Sequence, residues 1–224
     1  MQIQFTIDRK NLIWNKDNSL MVQKVKFMSL HLSGSFILAS ASPRRKDLLR
    51  SAGMKFKIIP AHVNEDYIEG ESPRRHVQRL ARDKADSIAQ KYPDAWVLGA
   101  DTIVVIDGMI LGKPKNKKQA REMLEKLSGR KHTVFTGFTL LHASSKVIKT
   151  KVVQSTVQFK TISPEEMEWY VNSDEPYDKA GGYAVQGKGA CFIKAIQGSY
   201  TNVIGLPLCE VREEMIKLNV IKLR

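Results

Sequence analysis

The chain has 224 residues, 42% of them hydrophobic and 26% charged, and its 36 Lys and Arg against 23 Asp and Glu give a formal net charge of +13. That length can bury a substantial core, and no run of about 18 apolar residues is present to cross a bilayer, since 20–32 is broken by Lys24 and Lys26; neither a membrane span nor a signal peptide is expected. The positive excess favours anionic partners, while Cys191 and Cys209 form no CxxC pair and have no histidine at ligand spacing, which argues against a zinc site or disulfide framework and for a reducing cytoplasm.

In chain order, the first 35 residues scatter Lys10, Asn11, Asn15, Lys16, Asp17 and Asn18 among isolated apolar residues and read as a poorly ordered extension. Met21 and Met28 leave two accounts of it open, a start codon assigned too early or a functional arm. It holds five basic and two acidic residues, so residues 36–224, expected to form a single domain, keep 31 basic against 21 acidic and remain basic. Phe36-Ile37-Leu38-Ala39 reads as a strand, and Pro43 opens a basic amphipathic helix with Leu48 and Leu49 inward. A second strand is expected at 55–60, a long helix at 73–92, and a central strand at 96–106 ending on the hairpin signal Asp107-Gly108. A helix at 118–127 closes on Gly129, long strands at 133–143 and 149–161 flank Ser144-Ser145 as an antiparallel pair, and Ser163 caps a helix through Asn172. The fold class is α/β with a mixed sheet.

Three constellations carry chemistry. Ser40-Ala41-Ser42-Pro43-Arg44-Arg45-Lys46 lies where a strand gives way to a helix, so free backbone N–H groups, hydroxyls and guanidiniums can converge on phosphate; an ordinary N-cap followed by a solvated basic turn is the alternative. Asp101, in Gly99-Ala100-Asp101-Thr102, interrupts an apolar strand, which is costly unless the carboxylate meets a cation, a metal or a cleft; a core Arg or Lys partner is the structural alternative. Asp178-Lys179-Ala180-Gly181-Gly182-Tyr183, followed by Gln186-Gly187-Lys188-Gly189, lets backbone approach a ligand, with Lys179 offering charge to phosphate and Gln186 an amide suited to a nucleobase edge.

Over about 36–215 the chain resembles the Maf family of nucleotide pyrophosphatases, on Leu38-Ala39-Ser40-Ala41-Ser42-Pro43-Arg44-Arg45, Gly99-Ala100-Asp101-Thr102, Gly112-Lys113-Pro114, Leu127-Ser128-Gly129, Asp178-Lys179-Ala180-Gly181 and Gly205-Leu206-Pro207 in that order. The resemblance implies an elongated, twisted mixed sheet flanked by helices, bilobed with a central cleft as in inosine-triphosphate pyrophosphatases. It implies hydrolysis of a nucleoside triphosphate to the monophosphate and pyrophosphate, with Asp101 as catalytic acid, Glu65 and Asp101 at a divalent metal (Mg²⁺ or Mn²⁺), and Ser40, Ser42, Arg44, Arg45, Lys84, Lys113 and Lys179 on the substrate. Arg44, Thr102 and Gln186 match the dTTP/UTP branch rather than the 7-methyl-GTP branch, which carries a bulky aromatic, Gln and Glu at those places. Asn64 stands where relatives often have an acid. A homodimer is implied too, as is a link to septum inhibition, which leaves a nucleotide- or nucleic-acid-binding regulator as a second class. The aromatics do not interleave with Lys and Arg as a base-stacking platform would, which argues against nucleic acid.

Overall fold

The computed structural model describes residues 30–223 continuously, together with two short strands, β1 (Ile13–Trp14) and β2 (Leu20–Met21), that pair antiparallel. The rest of the expected extension lies outside the described residues. Its last segment forms β3 (Leu30–Leu32), paired antiparallel with the final strand.

The order that follows is β4 (Phe36–Leu38), α1 (Pro43–Ser51), β5 (Lys57–Ile58), α2 (Pro73–Ala89), β6 (Trp96–Ile106), β7 (Met109–Leu111), α3 (Lys117–Leu127), β8 (Lys131–His142), β9 (Val147–Phe159), α4 (Pro164–Val171), β10 (Ile193–Gln197), α5 (Tyr200–Ile204), α6 (Leu208–Lys217) and β11 (Ile221–Leu223). Local chemistry explains the boundaries. Ser72, Asn116 and Ser163 each accept a hydrogen bond from the third residue of their helices, and Ser163 completes a capping box with Glu166. Asp107 and Gly108 both adopt positive φ, at 50° and 76°, the two-residue turn that joins β6 to β7 without splaying them. The second strand is shorter than 55–60 and the long helix ends at Ala89 instead of 92, where Gln90-Lys91-Tyr92 turns into Pro93.

One mixed sheet organises the body in the order β10-β9-β8-β6-β4-β5, with β7 also on β6. The β4 strand is parallel to β5 and β6, and every other pairing in this sheet is antiparallel. Strand β6 decides the architecture. On one edge it pairs with β8 from Val97 to Val105 without interruption. On its other edge β4 covers 96–98 and β7 covers 104–106, leaving 99–103 between two partners. The gap divides the molecule into lobes. One core joins β4, the start of β6, α1 and α6 through Leu38, Leu98, Leu49 and Met215; the other joins the end of β6, α3 and α4 through Val104, Leu124, Phe159 and Tyr170.

Helix α2 spans the sheet behind the gap, burying Val77, Leu80, Ala81, Lys84, Ala85 and Ile88 at helical spacing. Its backbone touches the strands at two glycines. A Cβ on Gly99 would lie 2.3 Å from the Ala81 carbonyl oxygen, and one on Gly137 2.2 Å from that of Val77. Gly137→Ala is expected to lower stability by about 3 kcal/mol in urea denaturation, because backbone must move to admit the methyl; a loss under about 0.5 kcal/mol would contradict this packing.

Candidate active site

Alternation along β6 sends its side chains to two faces. Asp101 shares the face of Gly99 and Ile103 and looks onto α2, while Thr102 looks the other way, and both reach the gap. On the α2 face, Lys84 Nζ donates to Asp101 Oδ1 at 2.8 Å and lies 2.6 Å from Glu65 Oε1. Lys84 and Asp101 are buried at 8% and 7% exposure, so one ammonium ties a buried carboxylate to a second on the 59–72 loop. Burial pushes the Glu65 carboxyl up, but the hydrogen bond and charge of Lys84, with Lys113 and Arg45 beyond, outweigh it and hold the group below the usual range. Among the described residues Asp101 Oδ2 has no hydrogen-bond partner.

On the opposite face, the loop after β4 closes with Arg45. Its Nε donates to the Gly205 carbonyl at 2.8 Å, one terminal nitrogen to Ser40 Oγ at 3.0 Å and the other to Thr102 Oγ1 at 3.1 Å. Burial draws its pKa down, opposed by Asp101 and Glu65. This overturns the reading of 40–46 as a solvated basic turn: Arg45 and Leu49, one turn apart, form the buried face of α1. Ser42 stands at the N-cap without a side-chain cap bond, which leaves its hydroxyl available to a ligand. A hydroxyl network, not foreseen in the sequence, backs the arrangement. Thr102 bonds Thr136, its register partner on β8, at 2.9 Å, and Thr136 donates to the carbonyl of buried Asn202 at 3.1 Å. These partners depend on register and long-range return of the chain, which no local pattern reveals.

The glycine-rich segment forms the facing wall. Lys179 donates to the Glu175 carbonyl at 2.7 Å and pairs with Asp178, whose other oxygen lies 3.1 Å from an Arg44 nitrogen. Burial pushes the Asp178 carboxyl up, and Lys179 and Arg44 overcome it and bring it down. Gly181 donates to the Gly112 carbonyl at 3.0 Å, which joins the Lys113 loop to this wall. Lys113 itself is exposed at the mouth. The resulting cleft, of about 400 Å³, is lined by Ser40, Ser42, Arg44, Arg45, Glu65, Lys84, Asp101, Thr102, Lys113, Lys179 and Gln186, so the candidate catalytic, phosphate, specificity and metal residues all reach one cavity, whereas Lys46, Asn64 and Lys188 do not line it. Asn64 spends its side-chain oxygen on the Asp66 N–H at 2.8 Å, a local turn.

A cleft between two lobes, with a shared-lysine carboxylate pair on one side and guanidinium, hydroxyls and ammonium groups around it, defines an α/β protein built to receive a phosphorylated ligand. The chain belongs to the Maf family: the profile described as Maf-like protein matches residues 35–218. It is 57% identical over 184 residues to a protein of Syntrophus aciditrophicus named dTTP/UTP pyrophosphatase, covering 82% of this chain and 90% of that one. It is 44% identical over 183 residues to one of the same name from Clostridioides difficile, covering 82% and 94%. A solved Ham1 protein of Staphylococcus aureus aligns over 81% of this chain and 100% of its own at 15% identity and a TM-score of 0.44.

Beneath the wall, His132 Nε2 lies 2.7 Å from the Tyr183 hydroxyl, packed by Phe159, and burial pushes the imidazole from 6.5 down to about 4. Between those values the unfolded chain holds a proton that the folded chain refuses, so stability is full above about pH 6.5 and falls on acidification towards pH 4, by roughly 3 kcal/mol. Urea titrations across this window should show that loss in the wild type and a flatter profile in His132→Gln; equal slopes would contradict it.

Proposed function

We infer that this protein hydrolyses dTTP and UTP to the monophosphate and pyrophosphate, with Asp101 as the group that moves the proton. The carrying observation is a carboxylate held in mid-strand at the bottom of a cationic cleft, one oxygen bound to Lys84 and the other without a protein partner. Its relatives' shared name, dTTP/UTP pyrophosphatase, supports the substrate class.

The free oxygen of Asp101 orients a water and takes its proton as the water oxygen bonds to the α-phosphorus. The bond from that phosphorus to the bridging oxygen breaks, and the electron pair leaves with pyrophosphate. Arg44 and Lys179, paired to Asp178 in the protein, turn to the more highly charged phosphates, and Lys113 approaches from the mouth. Arg45, fixed by three bonds, keeps Ser40 and Thr102 in place at no reorganisation cost. Among the described residues no cluster of three metal-ligating side chains occurs, yet Glu65 and Asp101 converge with hard oxygen donors, which fits an ion of the Mg²⁺ or Mn²⁺ kind that draws its other ligands from phosphate and water. Such an ion would be held by Glu65 and Asp101 and would neutralise charge developing on the phosphates.

Arg44, Thr102 and Gln186 all line the cleft, which favours pyrimidine nucleotides over 7-methyl-GTP on the branch pattern. A homodimer is inferred from family resemblance. Cytoplasmic residence suits the substrate and the two free cysteines; among the described residues no helix is long and apolar enough to cross a membrane. Pyrophosphate release from dTTP, UTP, CTP, GTP and 7-methyl-GTP, with Mg²⁺ or Mn²⁺, tests the reading. Expected are turnover of dTTP and UTP, loss on chelation, and a drop of about 10²-fold or more in Asp101→Asn; near-normal turnover by that variant would refute the role of Asp101, and salt-dependent DNA binding without turnover would favour the regulator.

A further inference from the structure

Glu175 has no place in the chemistry above, yet it makes more hydrogen bonds than a surface carboxylate needs. Its Oε1 accepts from the Gly189 N–H at 2.8 Å and from the Tyr170 hydroxyl at 2.9 Å, and its Oε2 accepts from the Lys188 N–H at 2.8 Å. The Tyr170 hydroxyl in turn receives the Ala184 N–H at 3.3 Å. Tyr170 is fully buried, and burial with the nearby Glu175 charge drives its pKa far up, so it remains a proton donor. The chain is therefore pinned at Ala184 and again at Lys188 and Gly189, with Gln186 between the pins.

Gln186 makes no side-chain hydrogen bond among the described residues, so its amide is aimed only by the backbone that carries it. That backbone is unusual. Gly187 adopts φ 133°, and a Cβ there would lie 2.4 Å from Glu175 Oε2, so glycine is required both by conformation and by the approach of the carboxylate.

We propose that Glu175, with Tyr170 behind it, is the positioning residue that sets Gln186 against the nucleobase and so governs affinity for the base rather than for the phosphates. This rests on the reading of Gln186 as a contact to the base of a nucleoside triphosphate. Glu175→Gln keeps the shape but turns an N–H towards one of three donors that need an acceptor, so the loop should lose one of its pins.

The test measures kcat and KM for UTP, and Ki for inorganic pyrophosphate, on the full chain with Mg²⁺, for wild type, Glu175→Gln, Tyr170→Phe, Gln186→Ala and Glu175→Gln/Gln186→Ala. Glu175→Gln should raise KM for UTP about tenfold with Ki for pyrophosphate changed less than about twofold, and should add little to KM once Gln186 is Ala. Tyr170→Phe should shift KM the same way, which keeps the proposal testable if Glu175→Gln folds poorly. An unchanged KM, a parallel rise in KM and Ki, or a full additional effect in the Gln186→Ala background would overturn it. Absence of any turnover by the wild type would instead overturn the parent reading along with it.

Discussion

The ammonium of Lys84 is the contact on which the site depends. A carboxylate in the middle of an apolar strand is tolerated only if its charge is met, and Asp101 meets a lysine that α2 delivers from its buried face. The same nitrogen reaches Glu65, so two negative groups that would otherwise repel are drawn to one point. Close approach of α2 to the sheet makes this reach short, and Gly99 and Gly137 are what permit that approach. The ion pair, the helix packing and the two glycines form one arrangement.

The cleft itself comes from an unfinished sheet edge. Because β4 and β7 cover opposite ends of β6, the residues between them face neither strand, and the two lobes grow on either side. Side chains from both faces of β6 thereby open into one space. Asp101 brings the carboxylate pair from the α2 side, and Thr102 brings the Arg45, Thr136 and Asn202 network from the other. Rigid backing on both faces is what preorganised phosphate chemistry needs.

Much of this was legible in the sequence where local chemistry is decisive. The 96–106 strand and its Asp-Gly turn are found where the apolar run and the turn residues put them. The third helix begins one residue earlier than expected and the bounds of the antiparallel pair shift by one or two, and at the start of β8 the shift falls on His132, a polar letter in a buried position. The motifs carried the cleft's residue list, but not its wiring. Arg45 and Lys84 are both expected on the substrate, but nothing local shows that Arg45 is buried against Ser40, Thr102 and Gly205 or that Lys84, in register with Val77, Leu80 and Ala81 on the core face, joins Asp101 to Glu65. Thr136 and Asn202 meet across 66 residues, a separation that no window of sequence covers, and Glu175, though only 14 residues from Gly189, bonds backbone N–H groups that no residue pattern marks.

The most direct measurement is the urea stability of Lys84→Met, Asp101→Asn and the double variant at neutral pH. If Lys84 is what makes the buried carboxylate tolerable, Lys84→Met alone should cost about 3–5 kcal/mol, and adding Asp101→Asn should recover most of that loss. A Lys84→Met cost below about 1 kcal/mol, or no recovery in the double variant, would contradict the account.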